Sequence, residues 1–206
     1  MRPPFGAIMA GGRNSRYGDL KALAPVAGQA IIDRVIERLR AVTPDLILIA
    51  NDVVAYHAVD IPSRPDRIPG LGALGGLHSA LHWAAEEARD GIIAIACDMP
   101  FVSSALLGRL LERSRSDDAP DVVAPESGSR RGLEPLCTYY SVGCLPAIEA
   151  AIQRGDSRMI GFHAQVSVER IALAEVAKYG DPETLFMNVN TPEERLLAER
   201  IAQEHA

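Results

Sequence analysis

Positive charge is scarce in this sequence. Its 206 residues carry 21 Lys and Arg against 27 Asp and Glu, a formal net charge of −6. A chain of that balance lacks the field that drives binding to a phosphate backbone, so nucleic acid is not an expected partner. Cysteine is scarce too. Cys97, Cys137 and Cys144 are odd in number, widely spaced and without a C-x-x-C pair, which argues against a disulfide framework or a zinc cluster and fits a reducing cytoplasm. Long apolar runs are missing. The first, FGAIMA at 5–10, is far too short for a signal-peptide core or a membrane span, so neither export nor a membrane anchor is expected. No low-complexity tract or repeat period is present, which sets aside disordered and solenoid architectures.

What is there is enough for a core: 48% of the residues are hydrophobic, and the length suits one domain spanning 1–206. Short apolar runs at 5–10, 46–50, 91–97 and 121–125 alternate with segments of helical period at 29–41, 74–89 and 103–115. That β-α-β order, with little polar alternation inside the strands, predicts a mostly parallel, Rossmann-like sheet covered on both faces, a three-layer α/β/α sandwich. Further strands are expected at 136–142 and 166–173, and helices at 145–154 and 192–204, the last opened by Thr191-Pro192-Glu193-Glu194. Prolines at 62–69 and glycines at 70–76 mark a mobile loop inside the domain. Ligands of such sheets bind outside the carboxyl ends of the strands, where the chemistry-bearing residues should be sought.

The first strand runs straight into MAGGRNSRYGDLK at 9–21. Gly11, Gly12 and Gly18 permit a backbone that wraps an anion, and Arg13, Arg16 and Lys21 supply positive charge, a combination suited to a polyphosphate. No Gly-Lys-Ser/Thr follows, so it is not a Walker loop, and G-x-G-x-x-G is absent here. A glycine turn with solvated basic residues is the plainer alternative. Asp98, in Cys97-Asp98-Met99-Pro100, ends the third strand, where a carboxylate can hold Mg²⁺ while substrate phosphates complete its shell; an ordinary turn or cap aspartate is the other use of that position. GLGALGG at 70–76 contains the letters G-x-G-x-x-G, but prolines stand where a dinucleotide fingerprint needs a strand. Arg130 and Arg131, beside a turn, suit bidentate recognition of a phosphorylated acceptor or a solvated surface equally. His78 and His82 lie four apart on an expected helix, but with no third ligand evident they are given no chemistry.

A-G-G-x-x-S-R-x-G-x-x-K after a first strand, followed by C-D-x-P, G-x-E-P-L and N-x-N-T-P-E-E, resembles the molybdenum cofactor guanylyltransferases, of the nucleotide-diphospho-sugar transferase type, over nearly the whole chain. The resemblance implies that Met9, Ala10, Gly11, Gly12, Asn51, Asp66, Gly72 and Gly75 contact the nucleotide, with GTP favoured over CTP by the double glycine. It implies that Arg16 and Lys21 bind its phosphates, that Asp98 holds Mg²⁺, and that Arg131, Glu134, Asn188 and Asn190 face the acceptor, molybdopterin. Transient contact with molybdoenzyme maturation proteins would follow. The chain departs from the family at Leu20, where an aspartate usually precedes the lysine and here stands one earlier, at Asp19. Met9 and Tyr17 replace a common leucine and methionine. A cytidylyltransferase, a sugar-1-phosphate nucleotidyltransferase and a non-catalytic nucleotide-binding module that delivers cofactor remain as alternatives. The absence of any D-x-D sets glycosyl transfer aside.

Overall fold

The computed structural model describes residues 2–11, 21–129 and 132–204. In chain order these form β1 (Phe5–Met9), the short pair β2 (Pro25–Val26) and β3 (Gln29–Ala30), α1 (Ile31–Arg40), β4 (Leu46–Ile49), β5 (Ser63–Arg64), α2 (Ala73–Glu86) and β6 (Gly91–Ala96). There follow α3 (Ser104–Ser114), β7 (Val122–Pro125), β8 (Cys137–Ser141), α4 (Leu145–Gln153), β9 (Val168–Ile171), α5 (Leu173–Val176), α6 (Pro182–Leu185) and α7 (Pro192–Glu204). Seven strands make one sheet in the order β5-β4-β1-β6-β8-β7-β9. Neighbours run parallel except around β8, which is antiparallel to both β6 and β7.

Strand residues alternate between two apolar layers. Phe5, Ala7 and Met9 of β1 pack with Leu74, Leu77 and Leu81 of α2 and Ile148 of α4, whereas Ile8 packs with Val35 and Leu39 of α1 and Leu106 and Leu110 of α3. The sheet is therefore clothed on both faces, as the uninterrupted apolar strands predict, since each fully buried Leu or Ile contributes roughly 1.5–3 kcal/mol. A smaller third cluster joins Val26, Ile31, Val189 and Ala198, and the Ala27 N–H donates to Glu199 Oε2 at 2.8 Å, so α7 is docked on the β2–β3 hairpin. At the amino edge of the sheet Arg89, 6% exposed, donates to the Pro3 carbonyl at 3.0 Å and to Asp45 at 2.7 Å. Its guanidinium also covers the Phe5 ring, 3.9 Å from the centroid. Among the described residues no helix is long and apolar enough to cross a membrane.

Three features differ from the sequence expectation. The segment expected as loop contains β5, which extends the sheet because Leu48 N–H donates to the Pro62 carbonyl and Ala50 N–H to the Arg64 carbonyl, at 2.9 and 3.0 Å. Pro62 and Pro65 flank it and keep it to two residues, as proline does on edge strands. The β2–β3 hairpin turns on Ala27 and Gly28, both at positive φ (47° and 77°), the backbone that tight hairpins require. The strand expected at 166–173 is confined to Val168–Ile171, and the single-turn helices α5 and α6, not expected from the sequence, follow it.

Candidate active site at the carboxyl edge of the sheet

Parallel pairing brings the carboxyl ends of β4, β1 and β6 together. Ala10 N–H donates to the Ile49 carbonyl at 2.9 Å and Cys97 N–H to the Met9 carbonyl at 3.2 Å, so Gly11, Asn51 and Asp98 leave the sheet side by side. Because β8 runs the other way, it begins at this same edge. Ala96 N–H donates to the Leu136 carbonyl at 3.1 Å, which puts the Glu134 turn beside the Cys97-Asp98 step.

Asn51 and Asp66 hold each other. Asn51 Nδ2 donates to Asp66 Oδ2 at 2.8 Å and Asp66 N–H donates to Asn51 Oδ1 at 3.0 Å. The other carboxylate oxygen, Asp66 Oδ1, is buried with no hydrogen-bond partner among the described residues, and an unmet buried acceptor of this kind costs about 1–3 kcal/mol or more. It lies over the first turn of α2, where a Cβ on Gly76 would stand 3.6 Å from Asp66 Oδ1 and 2.8 Å from Met9 Cε. Gly72, the residue before α2, has φ 59° and ψ −142°, a region essentially reserved for glycine. Nothing lies within 4 Å of where its Cβ would be, so any penalty there is purely backbone strain. Gly72→Ala is expected to lower unfolding stability by about 1–3 kcal/mol and to weaken nucleotide binding; an unchanged denaturant midpoint would contradict it.

The second half of the edge is a cleft of about 560 Å³ lined by Lys21, Leu23, Ala24, Asn190, Thr191 and Arg195, among others. Asp98 joins it because its carbonyl accepts from the Val189 N–H at 3.0 Å, which brings its carboxylate under the influence of the Asn190 side chain and the charge of Lys21. Burial raises the Asp98 pKa above its ordinary value, while Lys21 and Asn190 pull the other way. A carboxylate kept partly out of water against its own desolvation cost is poised for a cation. Its neighbour Cys97 is pushed up to about 12 by burial and then by Asp98, so it is a thiol and no nucleophile at neutral pH. Asn190 is held from behind: Glu194 accepts from the Asn190 and Thr191 N–H groups at 2.6 and 2.8 Å, and Thr191 Oγ1 accepts from Glu194 N–H at 3.1 Å. This capping box starts α7 and sets the asparagine at once.

Of the residues expected from sequence, Met9, Ala10, Gly11, Lys21, Asn51, Asp66, Gly72, Gly75, Asp98, Glu134 and Asn190 are gathered along this edge. Asn188 instead turns its amide to the Phe186 carbonyl, 3.1 Å away. Gly12, Arg13, Arg16, Gly18, Arg130 and Arg131, with the Asp19-Leu20 departure, lie outside the described residues. Sequence reasoning missed Gly76, although it adjoins Gly75, and it missed Arg195, which carries no motif. It read Glu194 only as a helix cap.

A family profile described as a MobA-like NTP transferase domain matches residues 6–168. The "Probable molybdenum cofactor guanylyltransferase" of Pelotomaculum thermopropionicum is 34% identical over 198 residues, covering 96% of this chain and 93% of that protein. The molybdenum cofactor guanylyltransferase of Desulfosudis oleivorans is 31% identical, covering 94% of this chain and 93% of that protein. Among solved structures, molybdopterin-guanine dinucleotide biosynthesis protein A from Archaeoglobus fulgidus superposes with a TM-score of 0.75 at 23% identity, over 96% of this chain and 98% of that one, a likeness of fold. With that extent of match, the chain belongs to the MobA-like NTP transferase family, in its molybdenum cofactor guanylyltransferase branch.

Proposed function

We propose that residues 1–206 act as a single nucleotidyltransferase domain that transfers GMP from GTP to the terminal phosphate of molybdopterin, with Mg²⁺ held at Asp98. The observation that carries this reading is the convergence of Lys21, Asp98 and Asn190 on one cleft beside the Asn51–Asp66 pair. A phosphate oxygen of the acceptor attacks the α-phosphorus of GTP. The bond from that phosphorus to the oxygen bridging to the β-phosphate breaks, and pyrophosphate leaves with the electron pair. The acceptor is already an anion, so the site needs no serine nucleophile or strong general base, and its task is positioning and charge neutralisation.

Lys21 stabilises the charge that builds on pyrophosphate, and Arg16 joins it. Asn190 positions the Asp98 carboxylate, and Asp66 Oδ1, without a partner among the described residues, accepts a donor from the nucleotide. Met9, Ala10, Gly11, Gly12, Asn51, Gly72 and Gly75 surround the nucleotide, while Arg131 and Glu134 serve the acceptor; Asn188, its amide engaged by the Phe186 carbonyl, is left out of that set. A single carboxylate in an open cleft suits Mg²⁺, which keeps waters and phosphate oxygens in most of its positions; once bound it would polarise the α-phosphate. A cytoplasmic setting suits the three free thiols, and handing on the product would involve transient contact with molybdoenzyme maturation proteins.

The test is pyrophosphate release by the purified chain with Mg²⁺ and molybdopterin, comparing GTP, CTP, ATP and UTP. GTP-selective release is the expected result. A preference for CTP would keep the mechanism and overturn the base assignment. Tight GTP binding without release from any nucleotide would favour a delivery module instead.

A further inference from the structure

His78 and His82 meet a third ligand that their spacing does not reveal. Glu149 of α4, 67 residues beyond His82, packs across the α2–α4 contact and places Oε1 3.1 Å from His82 Nε2 and 3.7 Å from His78 Nε2, while the two imidazole nitrogens are 3.0 Å apart. The expectation from sequence, a pair with no third ligand, is thereby corrected: the helices supply it through packing. Three acceptor-type atoms in one small triangle are hard to reconcile with hydrogen bonding alone. One N–H between two neutral rings and a carboxylate can serve one edge of the triangle well and leaves another as two facing lone pairs. His78 is 4% exposed, and its Nδ1 is buried without a partner among the described residues. In neither tautomer is the ring a satisfied core histidine, and Nε2 is its polar engagement.

The triangle has the dimensions of a metal site. Its edges of 3.0, 3.1 and 3.7 Å bracket the ligand–ligand separation of about 3.4 Å that a tetrahedron with bonds of about 2.0–2.1 Å requires. A point about 2.0–2.1 Å from all three atoms lies about 0.7 Å out of their plane, the displacement of an ion that has three tetrahedral ligands and a fourth position free. The group lines a cleft of about 340 Å³ with Arg67, Ile68 and Ile152, room for a fourth ligand. Arg67 pairs with Glu86 at 2.6 Å, a carboxylate it shares with Arg64 at 2.5 Å, so a positive charge remains on the rim for an anionic fourth ligand.

We propose that His78, His82 and Glu149 bind a borderline divalent transition metal ion of the zinc class, separately from the Asp98 cleft, with the fourth position open to water or a small anionic ligand. Two imidazoles with one carboxylate suit Zn²⁺ and discriminate against Mg²⁺, which takes oxygen ligands. The ion would clamp α2 to α4. His78 and His82 stand about 9 and 15 Å along α2 from Gly72, at 1.5 Å per residue, so the clamp holds the helix whose first turn supports Asp66.

The test is calorimetric titration of Zn²⁺ into the chelator-stripped full chain in excess Mg²⁺, with Co²⁺ absorption as a second probe of tetrahedral ligation. One saturable equivalent is expected, weakened by about 100-fold in His82→Ala and at least about tenfold in Glu149→Gln. At one fixed Zn²⁺ concentration the melting temperature should rise less in either variant than in the parent chain. Both positions are partly exposed, with side-chain accessibilities of 27% and 47%, so the variants should fold, which circular dichroism checks. Uptake that is the same in parent and variants, as adventitious binding to thiols or Asp98 would give, overturns the site, as does an absence of saturable uptake by the parent chain.

Discussion

Asp98→Asn is expected to lower kcat for pyrophosphate release by about 10³-fold, the scale of losing a preorganised charge at a phosphoryl centre, and to raise the melting temperature of the metal-free protein. The two effects have one cause. Burial lifts the Asp98 pKa in the folded chain, so between the unfolded and folded values the native state holds the extra proton. The stability this contributes is complete below the unfolded value and is lost as pH rises through the folded one. Above the unfolded value the buried carboxylate is therefore a burden on the metal-free fold that asparagine removes. The stability gap between variant and parent should vanish toward low pH and open as pH rises past the ordinary carboxylate range. The acid limb of activity in the parent, read at subsaturating Mg²⁺, should lie above that range. A variant that keeps activity within tenfold, or a gap that ignores pH, would refute the assignment.

Lys21→Met should cost about 10²–10³ in kcat, with a signature that distinguishes lost charge from lost fold. Lys21 opens a single helical turn, Lys21–Leu23, and its charge is one of the influences holding the Asp98 pKa down. Its removal should drive Asp98 further up and shift the acid limb of the residual activity to higher pH. Arginine at the same position should restore the limb more fully than the rate, since a guanidinium carries the charge but not the compact geometry of the ammonium. A residual activity whose pH profile matches the parent would sever Lys21 from Asp98.

How far the sequence carried depended on whether side chains or backbone made the structure. LILI at 46–49, buried at every position, reads as a strand because side-chain burial leaves a mark in composition. β5 left none, since two residues between prolines hold their place by main-chain bonds, and the β2–β3 hairpin rests on Ala27 at a positive φ that alanine does not advertise. In the candidate site, motif and resemblance pointed to Asn51, Asp66, Asp98 and Asn190, which lie along one edge of the sheet. They could not show that Asn51 and Asp66 bond to one another and leave one oxygen without a partner among the described residues, because that is a matter of atoms, not residue types. Glu149 was invisible for a similar reason: an i, i+4 pair is local, whereas its partner arrived by helix packing.

The reversal at β8 has a bearing on heredity. Gly11, Asn51 and Asp98 precede β8 and leave the ends of parallel strands joined by crossover helices, where a change of length would shift a helix or a register. Glu134 reaches the same edge by an antiparallel return from β7 to β8, in which Ser127 N–H pairs with the Gly132 carbonyl and Glu134 N–H with the Pro125 carbonyl. Such a return can lengthen or shorten without disturbing what surrounds it. The part of the edge proposed for the acceptor and the part proposed for the nucleotide are thus free to diversify at different rates, and under that proposal a lineage of this fold is expected to change its acceptor more readily than its nucleotide.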